Sequence, residues 1–155
     1  MDDVRPGRRV EPAPAALWIM ALLALIPFPA SALVYGYGPR EVSGAALTIL
    51  LSWAALMIAF LGSVRWGLET REARPRWYRL ALSALVSTAA LLVLLGRGRL
   101  PDTWILGGFV VVFLIQWLFD HQTPQTPARY PILSTMITSG ACISLGLALE
   151  KALNA

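Results

Sequence analysis

Charge is what this sequence has least of. Only 14% of its 155 residues are Asp, Glu, Lys or Arg, against about 25% in an ordinary soluble domain. With 57% of the chain hydrophobic, a soluble core of this size could not hide so much apolar surface from water. Cysteine is nearly absent too. The single Cys142 excludes an intramolecular disulfide and a cysteine metal cluster, and its place in an apolar run suits a small packing residue. The single histidine, His121, excludes a His-ligated metal site or a bis-histidine haem built from this chain alone. No G-x-S-x-G elbow and no H-E-x-x-H helix occurs, and the glycines lack the strand–turn–helix setting of a nucleotide fingerprint. No cofactor is expected. The net charge of +4 does not point to nucleic acid, because the arginines flank apolar runs and form no patch.

What is present is a series of uncharged runs. Residues 15–39, 42–64, 80–96, 103–119 and 130–149 contain no Asp, Glu, Lys or Arg. A helix needs about 20 residues, with a range of about 17–25, to cross a hydrocarbon core. Period-2 alternation is missing, which argues against a membrane β-barrel. The expected fold is therefore all-α: a polytopic membrane bundle of five transmembrane helices. The reading places span 1 at 15–35, span 2 at 45–68, span 3 at 78–96, span 4 at 104–119 and span 5 at 132–149. Residues 1–14 form a polar tail, 15–150 the transmembrane domain and 151–155 a short C-terminal tail. Pro27-Phe28-Pro29 should kink span 1, and Gly36-Tyr37-Gly38-Pro39, Gly96-Arg97-Gly98 and Thr123-Pro124 read as turns. Ala30-Ser31-Ala32, behind a basic stretch and an apolar run, also resembles a signal-peptide cleavage site. The apolar run resumes at Leu33 and completes a full span, which favours an intact first helix.

Orientation follows from the cations beside the spans. Arg5, Arg8, Arg9, Arg71, Arg74, Arg76, Arg79 and Arg129 lie on the side of the N-terminus. Arg40, Arg97, Arg99 and Lys151 lie on the other. That asymmetry puts the N-terminus in the cytoplasm. One Lys against twelve Arg, with abundant Ala, Leu and Gly, is a composition typical of a GC-rich bacterial genome, and the expected location is a bacterial inner membrane.

With the spans so arranged, scattered polar residues come to one level. Arg65 near the end of span 2 and Asp120 near the end of span 4 reach the same depth, followed by His121. Arg65 lies four residues, or about 6 Å, deeper than Glu69, and continues a small-residue track Ala55-Ala59-Gly62. It has two candidate partners: Glu69 on its own helix and Asp120 across the bundle. It can also snorkel to the headgroups as an anchor. Gln116 and Asp120 share a helix face, as do Ser83 and Ser87. Arg129, Tyr130, Ser134, Thr135 and Thr138 occupy the same half of the molecule. The candidate functional or structural cluster is Arg65, Trp66, Glu69, Gln116, Asp120 and His121. Asp120-His121 with Ser134 or Ser139 is too thin a constellation for an enzyme, and a loop His beside an Asp is ordinarily solvated.

Pro27-Phe28, the string IAFLGSVRWGLE at Ile58–Glu69, Asp120 closing span 4 and a polar-studded last span after Arg129-Tyr130 together resemble the domain of unknown function 3429 family (transmembrane protein 69-like). The resemblance covers nearly the whole chain. Ser63 departs from it where another glycine would stand, as does the segment after Asp120. It implies a five-span fold and adds no catalytic residue. Small size, short loops and the missing ligand set point to a structural, assembly or accessory subunit of a membrane complex. The expected partners are the lipid bilayer and a membrane protein or second copies of the chain. A kinked span 1 and the polar cluster suggest a small transporter or channel as the alternative.

Overall fold

A computed structural model describes residues 15–70, 76–122 and 130–154. The proposed N-terminal tail, Arg129 and most of the segment after Asp120 fall outside them. Six helices follow in order: α1 (Ala15–Leu25), α2 (Pro27–Tyr37), α3 (Arg40–Glu69), α4 (Trp77–Leu95), α5 (Asp102–His121) and α6 (Tyr130–Leu153). The first two are one membrane span broken at Ile26, so five spans are long and apolar enough to cross a bilayer. The protein is an all-α polytopic membrane bundle.

The break has a local cause. Pro27 and Pro29 have no N–H, so the carbonyls four residues earlier lose their helical donors. The ladder holds on either side, with Ile26 N donating to Leu22 O and Ala30 N to Ile26 O, each at 3.2 Å. Ser31 Oγ donates to the carbonyl of Pro27 at 2.5 Å, and the indole Nε1 of Trp53 donates to the carbonyl of Ala24 at 2.9 Å. Side-chain donors thus reach carbonyls beside the break, the kind of compensation that lets a broken helix persist in a membrane. Ser31 and Ala32, from the small-residue stretch that resembles a cleavage site, are buried within α2.

The helices run further than the charge-free stretches suggest. α3 begins at Arg40 and not at residue 45, and its 30 residues span about 45 Å. That exceeds a hydrocarbon core of about 30 Å, so its ends reach the headgroup zone, where Arg40 and Glu41 are acceptable. For the same reason α5 takes in Asp102 and His121, and α6 continues to Leu153. Helix α2 runs through Gly36 to Tyr37 before the turn at Gly38-Pro39. Gly98 makes the α4–α5 turn with φ +83°, a conformation glycine adopts without penalty.

Consecutive spans alternate in direction. α3 packs on α4, α5 on α6, and α2 lies between α3 and α6. One end of the bundle, here the proximal end, carries the starts of α1, α4 and α6 and the ends of α3 and α5. The core is apolar. Phe28 and Phe113 meet edge to face, 6.0 Å between centroids, among fully buried Leu50, Ile58, Leu106 and Phe109. Outward faces carry Met20, Leu23, Ile49, Leu85 and Ile143, all exposed.

Lipid tails are as apolar as these side chains, so burial alone does not drive the helices together; close approach and polar contacts do. Two glycines allow such approach. A Cβ at Gly140 would stand 2.3 Å from Leu25 Cδ1, and one at Gly62 2.8 Å from Ser87 Oγ. At Gly62 the small-residue track of α3 meets the serine face of α4, and Ser83 Oγ donates to the Gly62 carbonyl at 2.6 Å.

Candidate functional site

The proximal end gathers the buried charge. Arg65 Nη2 donates to Asp120 Oδ1 at 2.6 Å, linking α3 to α5. Ser134 Oγ on α6 donates to the other carboxylate oxygen, Oδ2, at 2.5 Å. Gln116 Nε2, one turn back along α5, donates to Oδ1 at 3.3 Å. Asp120 is 0% exposed and the Arg65 side chain 8%. A carboxylate so placed is tolerable only when ion-paired and hydrogen-bonded, and here three helices supply the donors. Arg65 further sits 5.8 Å from the ring centroid of Phe119, a separation that permits cation–π attraction.

Glu69 is engaged elsewhere. Its carboxylate accepts from the backbone N–H of Arg76 at 2.8 Å and from Arg79 Nη1 at 3.3 Å. The local Arg65–Glu69 pair therefore gives way to two separate ties: Arg65 crosses the bundle, and Glu69 fixes the start of α4 beside the end of α3. The second tie could not be read from helical spacing, since it depends on how the chain turns between α3 and α4.

The remaining candidates part company. His121 is exposed at the end of α5, its ring 4.4 Å from that of Trp117, with Nδ1 3.1 Å from the Trp117 carbonyl and Nε2 3.5 Å from Thr135 Oγ1. It is the neighbour of Asp120 in sequence but not in its network. Trp117 Nε1 donates to Thr135 Oγ1 at 3.0 Å, a second α5–α6 contact that the sequence did not single out. Trp66 is 46% exposed, suiting an interfacial anchor. Ser139 is exposed, and Cys142 packs half-buried against the core.

One turn deeper than the Asp120–Ser134 contact, the antiparallel register of α5 and α6 sets Gln116 level with Thr138. Both are buried. Gln116 Oε1 and Thr138 Oγ1 have no hydrogen-bond partner among the described residues. No group of three or more His, Cys, Asp or Glu side chains that could hold a metal ion occurs among them.

The sequence profile of the family described as "Protein of unknown function (DUF3429)" matches residues 13–150. Transmembrane protein 69 of Xenopus tropicalis is 31% identical over 146 residues, covering 89% of this chain and 55% of that protein. The chain spans about half the length of the curated relative it matches. No solved structure matches the chain.

Proposed function

Since the chain belongs to the DUF3429 family of multi-pass membrane proteins, we propose that it is a non-catalytic structural, assembly or accessory subunit of a larger membrane complex. The observation that carries this reading is the use of Asp120. Both its oxygens are taken by side chains of the protein's own helices, so the most deeply buried charge holds α3, α5 and α6 together and is not presented to a substrate. Broad apolar faces outside are left for lipid and neighbouring helices. The cation asymmetry favours a cytoplasmic proximal end, and composition favours a bacterial inner membrane.

The test is extraction in a mild detergent followed by affinity purification of the full chain. A stoichiometric membrane partner is expected; a monomer or self-sufficient homo-oligomer contradicts the reading. For orientation, a reporter fused to the C-terminus should be active only if it works outside the cytoplasm.

The transporter or channel alternative is favoured by one observation: the buried Gln116 Oε1 and Thr138 Oγ1 have no hydrogen-bond partner among the described residues, and polar groups inside a membrane bundle mark candidate solute or ion paths. It predicts solute or ion flux in vesicles reconstituted with the purified chain, lost in Gln116→Leu.

A further inference from the structure

Between α3, α4 and α5 at the proximal end lies a cavity of about 220 Å³ lined by Arg65, Tyr78, Arg79, Leu82, Phe119 and Gln122. A water molecule's share of liquid is about 30 Å³, so a larger group fits. We propose that this cavity binds a phosphate oxyanion, presented by the headgroup of an acidic phospholipid.

The wall has the right polarity. Two arginines, a tyrosine and a glutamine line the space, while the carboxylates paired with the arginines do not. Asp120 and Glu69 are 0% and 5% exposed and stand outside the lining of the cavity. A guanidinium carries five N–H donors in a planar fork. Asp120 engages Arg65 through Nη2, and Arg79 is held by Glu69 through Nη1 and by the Tyr78 hydroxyl. Such a fork matches the oxygens of a phosphate. Because both arginines are already fixed by ion pairs, little side-chain entropy is lost on binding.

The surroundings favour a lipid as the source. Arg65 lies one turn inside the end of α3, Arg79 is in the first turn of α4, and Gln122 follows α5 directly. Trp66 and Trp77, exposed at the same end, mark the headgroup level. Leu82 and Phe119 complete the wall with apolar surface on which an acyl chain can lie. Basic pockets between transmembrane helices are a recurrent setting for acidic headgroups. The site does not depend on whether the chain has a protein partner.

The experiment uses the full chain, delipidated in neutral detergent. Native mass spectrometry measures retention of phosphatidylglycerol against phosphatidylcholine with the same acyl chains. Preferential binding of the acidic lipid is expected, weakened about tenfold by Arg79→Gln, the equivalent of one charged hydrogen bond. Gln122→Glu, on the exposed rim, and Leu82→Trp, which fills the cavity without touching an ion pair, should weaken it too. These two serve if Arg79→Gln does not fold. Arg97→Gln, at the opposite end, should bind as the parent does. Inorganic phosphate separates the sources. If it fails to displace the lipid, the headgroup is the ligand; if it displaces the lipid and binds in its place, the oxyanion site stands with a soluble ligand. Equal retention of both lipids with no phosphate binding, or acidic-lipid binding unchanged in Gln122→Glu and Leu82→Trp, overturns the proposal.

Discussion

The indole N–H of Trp53, on α3, donates at 2.9 Å to the carbonyl of Ala24, on α1, beside the break that Pro27 and Pro29 impose. A kink that frees backbone acceptors and a tryptophan that needs one answer each other across the bundle. Trp53→Phe keeps most of the apolar bulk and removes the donor. It should lower stability in detergent by about 0.6–2 kcal/mol, the range for polar contacts between membrane helices, read as a fall in melting temperature. No change would mean that the kink is held by its prolines and Ser31 alone.

Two glycines in long helices should respond oppositely to alanine. Gly140→Ala drives a methyl group into Leu25, and overpacking of this kind costs about 1–3 kcal/mol. Shortening the obstacle in the pair Gly140→Ala with Leu25→Ala should recover part of the loss. Nothing lies within 4 Å of a Cβ at Gly107, so Gly107→Ala should be neutral or stabilise by up to about 1 kcal/mol through helix propensity. Melting curves of the three variants check both statements.

Thr138→Val removes a hydroxyl that is buried and unpartnered among the described residues. Such a group is a liability of about 1–3 kcal/mol, so the variant should be as stable as the parent or more so. A marked loss of stability would mean that the hydroxyl serves a bound water or ion, favouring the transport alternative.

Much of this was legible in the sequence because hydrocarbon imposes a harsh filter. Five charge-free runs and two prolines announced the spans and the kink. Arg65 and Asp120 could be matched because each is a charge ending an apolar run at the same end of the bundle. Helix ends were harder: Arg40, Glu41 and Asp102 were read as boundaries, although a helix continues readily into the headgroup zone, where charge is tolerated. The finer network was hidden for another reason. Which hydroxyl faces Asp120 depends on the rotation of α6 about its axis, and Ser134 and Ser139 stood as alternatives until packing turned Ser134 inward and Ser139 outward. Glu69 met Arg79 and not Arg65 because the α3–α4 connection, and not the helix period, sets that distance.

The central claim is that the buried charge is a tie between helices, and the most direct measurement is a double-mutant cycle on Arg65 and Asp120, followed by thermal or denaturant unfolding in detergent. Each single variant, Arg65→Met or Asp120→Leu, strands its partner's charge and should lose about 3–5 kcal/mol. The double variant removes both charges together and should lose far less than the sum, with a coupling of about 0.5–3 kcal/mol or more. Losses that add strictly would contradict the account, because two residues that act independently do not hold three helices together.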